Sequence, residues 1–183
     1  MTKKIISFIL LMAIFQCIKA QKGNNGLSFN GEATIPIFQN DQGFGFFIKG
    51  LYGIGSSAQL TVSGGVSIFN NKNIIERGEI TTRLIPFLVG YNQYIHHFFI
   101  EPQIGLGELG GRIKIEGDYA RPSVAAIFGA VATGYTFKQI SAGIRFQTAH
   151  GIENNSAGLW HDQNFHYTSV FIGYNIFSKR ARE

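Results

Sequence analysis

Five charged side chains stand inside stretches that are otherwise apolar or small: Glu32, Lys49, Arg83, Glu101 and Arg145. A charge withdrawn from water is costly unless a counter-charge and hydrogen bonds meet it. Two carboxylates and three cations among apolar neighbours therefore predict a charge network in a common interior. Lys49, Glu101 and Arg145 each fall about six or seven residues from a short connection. Equal offsets from one rim place side chains at similar heights. Such a network can hold a structure together or relay protons, and the cost of an unpaired buried charge makes structural pairing the primary reading.

Histidine is the other residue type with chemical potential. His96 and His97 share a short polar connection, whereas His150, His161 and His166 lie in or beside a long one near Glu153 and Asp162. Imidazole and carboxylate are common metal ligands, but this irregular spacing matches no ligand template, and no metal is expected. The chain shows no phosphate-binding loop, zinc motif or pair of facing carboxylates, so no cofactor is expected either.

The elements that position these residues are runs with a period of two. The last, Tyr167 to Phe177, puts Val170, Ile172, Tyr174 and Ile176 on one face and Ser169, Phe171, Gly173 and Asn175 on the other. Strands alternate in this way when their faces meet different environments. Seven earlier runs cover Leu27–Ile37, Phe44–Ile54, Ala58–Phe69, Glu79–Tyr91, Phe98–Leu106, Val124–Phe137 and Ile140–Thr148. In most of them the strand charges share the less apolar face: Glu32 opposes Phe29 and Ile35, and Glu101 opposes Ile100 and Ile104. The fourth run is less clean. Ile80, Leu84, Pro86 and Leu88 read as its apolar side, yet Ile85, Phe87 and Val89 share the Arg83 side. The sixth is so rich in Ala and Gly that its facing stays open. Pro86 and Pro102 each remove a ladder donor and predict a bulge or a strand end.

The connections alternate in length. Phe38–Gly43, Asn70–Gly78, Glu108–Pro122 and Ala149–His166 are mostly long, whereas Gly55–Ser57, Asn92–His97 and Lys138–Gln139 are short. Aromatic residues collect where runs end, at Phe44, Phe69, Tyr91, Tyr94, Phe98, Tyr135, Phe137, Tyr167 and Phe177. Interfacial girdles of membrane barrels have this distribution.

Charged residues are only 15% of the 183, with Gly abundant at 23, Phe at 17 and Pro scarce at 4. Outside the N-terminus no segment is continuously apolar, which favours strands over helices as membrane-crossing elements. The N-terminus itself reads as a secretory signal: Lys3 and Lys4, an apolar run from Ile5 to Ile18, and Ala20 as the cleavage position before Gln21. Phe15 and Gln16 are too large for a lipoprotein site before Cys17. Loss of residues 1–20 would leave 13 basic against 11 acidic residues and no cysteine. The formal charge of +5 is thus partly the signal's, and no nucleic-acid partner is implied. Residues 21–183 form one domain.

The closing run, from Tyr167 through the aromatic Phe177, resembles a strand of the small eight-stranded outer-membrane barrels of Gram-negative bacteria. Among these it is similar to the Bacteroidetes-type outer membrane protein beta-barrel domain, whose strictest members end on the aromatic itself. Here Ser178–Glu183 follow it. The resemblance implies an all-β, eight-stranded, antiparallel up-and-down barrel in the outer membrane. It also implies both termini in the periplasm, a monomer in contact with outer-membrane lipid, and a lumen plugged by side chains. A structural or surface-interaction role follows, with no catalytic centre. Two alternatives stand beside it. The segment from His150 to Leu159 is loosely similar to the catalytic segment of barrel-shaped lipid A deacylases, which would cast His150 and Ser156 as base and nucleophile, although Ile152 occupies the position two residues on from His150. A soluble periplasmic lipid-carrier barrel would show the same alternation with its apolar face turned inward.

Overall fold

The computed structural model describes residues 25–37, 42–75, 78–115, 118–121, 123–152 and 164–176. It contains β1 (Gly26–Pro36), β2 (Gln42–Gly53), β3 (Ala58–Ile75), β4 (Gly78–Ile95), β5 (Phe98–Ile115), β6 (Asp118–Ala120), β7 (Ser123–Phe137), β8 (Ile140–Gly151) and β9 (Asn164–Ile176). The hydrogen-bonded order runs β4-β3-β2-β1-β9-β8-β7-β5, and β4 also pairs with β5. Eight antiparallel strands therefore close into a barrel. The short β6 stands outside the ring and pairs with Ile113–Ile115 of β5. Closure gives the backbone of each barrel strand partners on both sides, the condition for a sheet in hydrocarbon.

The period-two pattern translates directly into facing. Along β9, Phe165, Tyr167, Ser169, Phe171, Gly173 and Asn175 are buried, and the residues between them are outward. β7, whose facing the sequence leaves open, turns Val124, Ala126, Phe128, Ala130 and Ala132 inward, with Ile127, Val131 and Tyr135 outward. In β4 the expected facing is reversed. Leu84 and Leu88 are fully buried, whereas Ile85, Phe87 and Val89 are exposed with Arg83.

Both prolines leave their mark on the ladders. Between Gly64↔Phe87 and Ser67↔Leu84, at Pro86, the β3–β4 pairing lapses with its register unchanged, so there is no bulge and no strand end there; the register shifts instead between Asn71 and Ile75. Between Gly90↔Gln103 and Gln93↔Ile100, at Pro102, the β4–β5 pairing lapses in the same way, again with the register unchanged. A residue without an N–H cannot donate to the ladder, so the pairing skips it while the strand continues.

Connections differ in reach from the sequence reading. β3, β4 and β5 are each 18 residues long, because most of Asn70–Gly78 and part of Glu108–Pro122 continue as paired strand. Polar composition there marks the end of the apolar band, not the end of the ladder. At the opposite rim, Asn92–Ile95 are likewise strand, and only His96 and His97 form the turn. Measured from the turn-end limits of their strands, Lys49, Glu101 and Arg145 lie four, three and five residues in. His96 and Lys138, each first in a two-residue turn, have φ of 59° and 54°. Two-residue hairpins favour positive φ at this position, and Gly adopts it without the strain a Cβ brings. Lys138→Gly should therefore raise unfolding stability by about 0.5–1 kcal/mol. Denaturant titration in detergent micelles measures it, and a loss of stability would contradict the assigned turn.

The exterior carries an apolar band. On β4 it runs from Ile85 to Ile95, which for tilted strands rising about 3.4 Å per residue spans about 25 Å. Tyr91, Tyr135 and Tyr174 edge it towards the tight turns, with the Tyr174 hydroxyl donating to Gln139 Oε1 at 2.7 Å. At the other border stand Asn70, Arg83, Glu108, Ser123 and Asn164. Phe44, Tyr91, Phe98, Tyr135 and Phe137 face outward, as a girdle requires. Phe69 and Tyr167 do not; both point inward and are fully buried, and Tyr94 packs against the buried Phe99. Phe177 lies outside the described residues.

Candidate functional site in the lumen

Inward side chains divide along the barrel axis. Towards the long connections Phe69, Leu84, Leu88, Leu109, Phe128, Phe165 and Tyr167 form one apolar cluster. Phe69 packs edge-on against Phe165 and Tyr167, with ring centroids 4.9 and 5.2 Å apart. Towards the tight turns the interior is mostly polar and contains the strand charges.

Those charges form two ion pairs between strands that are not neighbours in the barrel. Lys49 Nζ from β2 lies 2.6 Å from Glu101 Oε2 of β5. Thr61 Oγ1 and Gln103 Nε2 each donate to Glu101 Oε1 at 2.7 Å. Arg145 Nη1 from β8 lies 2.6 Å from Glu32 Oε1 of β1, and Ser169 Oγ donates to Glu32 Oε2 at 3.0 Å. All four charged residues are buried. The Arg145 guanidinium sits 4.6 Å from the Phe47 ring centroid and 5.9 Å from that of Phe171, in reach of both ring faces. Small residues opposite create the room for these rings. A Cβ on Gly65 would meet the Phe47 ring at 2.5 Å, and one on Gly143 would meet the Phe171 ring at 2.9 Å.

The sequence placed Glu32, Lys49, Arg83, Glu101 and Arg145 in one network. The structure brings four of them into the lumen and leaves Arg83 outside. Arg83 lies on the outward face of β4, its side chain 50% exposed, with Nη2 2.8 Å from Glu108 Oε1. At the border of the apolar band a long cation and its partner reach the polar side without entering hydrocarbon, so nothing drives Arg83 inward. Thr61, Gln103, Ser169 and Phe47 complete the site and were not anticipated. Gln103 stands two residues beyond Glu101 on the same face, a signal the alternation does contain.

His150 is exposed, and its Nδ1 lies 2.6 Å from Asn164 Oδ1. His166, on the same outer face, stacks on Phe146 at 6.4 Å. Ser156 and His161 lie outside the described residues. Among the described residues no group of three or more His, Cys, Asp or Glu side chains is placed to hold a metal ion.

Chemically the lumen site is a set of paired charges, with Arg145 Nε left without a protein partner. Glu101 receives an ammonium, a hydroxyl and an amide, and Glu32 a guanidinium and a hydroxyl. The two ion pairs tie strands together across the barrel.

This architecture is that of the small eight-stranded outer-membrane β-barrels. Its solved neighbours include Ail, the attachment invasion locus protein of Yersinia pestis, at a TM-score of 0.59 and 9% identity over 85% of this chain and 100% of that one. The N-terminal β-barrel domain of Pseudomonas aeruginosa OprF has a TM-score of 0.56 at 12% identity, over 85% of this chain and 100% of that domain. Neisserial surface protein A has 0.54 at 10% identity, over 84% and 95%. No family model and no curated protein matches the chain. At these identities the likeness is one of fold.

Proposed function

We propose that the mature chain is a monomeric outer-membrane barrel with a structural or surface-interaction role and a lumen closed by its own side chains. The outward apolar band on a closed ladder carries this reading. A soluble carrier barrel would turn that face inward, around a ligand, and its polar face to water. Here Ile95, Ile104 and Ile172 point outward while Glu32, Lys49, Glu101 and Arg145 point inward. Residues 1–20 act as a cleaved signal and residues 21–183 form the barrel domain. The even strand number places both termini at the tight-turn end, which in this reading faces the periplasm, and the long connections outside. The attribution to the Bacteroidetes-type domain rests on the closing strand, Tyr167–Phe177. A deacylase reading gains nothing from His150, whose Nδ1 faces the Asn164 amide oxygen.

Fractionation tests the location. The protein should sediment with outer membrane, resist carbonate extraction and migrate differently on SDS gels before and after boiling. Recovery in the soluble periplasmic fraction would overturn the assignment.

A further inference from the structure

The two halves of the lumen differ in what they offer water. Near the tight turns, Ser63 Oγ, Asn92 Oδ1, Gln103 Oε1 and Thr136 Oγ1 are buried without a protein partner. Asn30 Nδ2 and Arg145 Nε are in the same condition, and so, beside Phe69 and Tyr167, are Thr34 Oγ1 and the Gln147 amide. Buried polar atoms are satisfied by water when protein does not satisfy them, and a polar site with several such atoms holds water where an apolar one stays dry. Ser63, Asn92, Gln103, Thr136, Asn30 and Arg145 all lie within five residues of the tight-turn ends of β3, β4, β5, β7, β1 and β8. The Lys49 side chain among them retains 7% exposure. Two or three inward positions further along, past Gly65 and Ser67 on β3 and Gly90 on β4, the lumen becomes mostly apolar. Phe69, Leu84, Leu88, Phe128 and Tyr167 all have zero exposure and pack on one another.

We propose that the lumen is a half-channel: a hydrated polar chamber entered from the tight-turn end and stopped by the apolar plug. The plug, not the pair of ion pairs, is the barrier to water, protons and small ions. Hydrophobic constrictions block conduction by excluding water, and an eight-stranded lumen is just wide enough for side chains, so a few rings suffice to fill it. The ion pairs lie in the wet half, where they hold strands together without sealing anything. This rests on the barrel reading above.

Two measurements on the full-length mature chain decide it. The first is reaction with a small cationic methanethiosulfonate reagent in detergent, using single cysteines at Ser63 or Asn92 in the chamber and at Ala126 or Ala149 in the plug. The chamber cysteines should react at least tenfold faster than the plug cysteines. The second is proton leak in liposomes with an internal pH dye. Parent protein and Lys49→Met/Glu101→Leu should match protein-free vesicles. Phe69→Ala and Phe165→Ala/Tyr167→Ala should leak at least tenfold faster while still shifting on unboiled gels. Loss of that gel shift or failure to insert in the parent would count against the barrel reading. With parent insertion intact, equal cysteine reactivity in both halves would overturn the half-channel. So would a leak from the ion-pair variant, or tight vesicles with a folded plug variant.

Discussion

Glu101→Ala should destabilise the barrel by about 3 kcal/mol, the lower end of the roughly 3–5 kcal/mol that follows from removing one partner of a buried ion pair. The cost does not arise from the lost contact alone. Glu101 is fully buried and accepts from Lys49, Thr61 and Gln103, so its removal strands one ammonium and two neutral donors. Solvation of the chamber holds the figure below the upper end. Glu108→Ala removes the partner of Arg83, where both side chains are substantially exposed, and should cost only about 0–1 kcal/mol. Lys49→Met/Glu101→Leu should recover most of the Glu101→Ala loss, because replacing both members of a buried pair by apolar groups is often neutral. Urea or guanidinium titrations in detergent micelles or lipid vesicles measure all three. A Glu101→Ala barrel as stable as Glu108→Ala would show that the pair contributes nothing to folding. A double variant no better than the single would show that packing, and not charge, sets the cost.

How much of this could be read from sequence depended on contrast between the two faces of each strand. β1, β5, β8 and β9 put polar, small or charged residues opposite branched or aromatic ones, so their facing was legible. β7 alternates Ala with Ala and Ala with Ile, and Ala125 and Ala126 look alike whether they meet the exterior or a crowded lumen. β4 failed for the converse reason. Its inner face meets the apolar plug, so Leu84 and Leu88 inside are matched by Ile85, Phe87 and Val89 outside, and the single charge of Arg83 gave the wrong phase. The same plug explains Phe69 and Tyr167, aromatic residues near strand ends that seal the interior instead of edging a bilayer. The membership of the charge network was legible because charges amid apolar neighbours are conspicuous. Its pairing was not: β2 and β5, or β1 and β8, are separated by other strands, and which charge meets which depends on shear and tilt that a single strand's pattern does not contain.

The facing of Ile104 supplies the sharpest test of the environment outside the barrel. Ile104 is on β5, between Phe98 and Glu108, which mark the two borders of the apolar band, and is 67% exposed. On a water-facing strand an exposed Ile exchanged for Arg changes stability little, since surface substitutions of this kind usually stay within about 0.5 kcal/mol. In hydrocarbon the same exchange places a guanidinium near the midplane, at a cost of about 2–4 kcal/mol, while at the interfaces it costs about 0–1 kcal/mol. Ile104→Arg should thus lose about 2–4 kcal/mol in refolding titrations with phospholipid vesicles. Ser123→Arg, outward at the polar border of β7, should lose about 0–1 kcal/mol under the same conditions. Both variants leave the lumen, the ion pairs and the plug untouched, so any difference between them reports depth alone. Equal stability of the two in bilayers would mean that the outward face does not meet lipid, and the membrane assignment would fall with it.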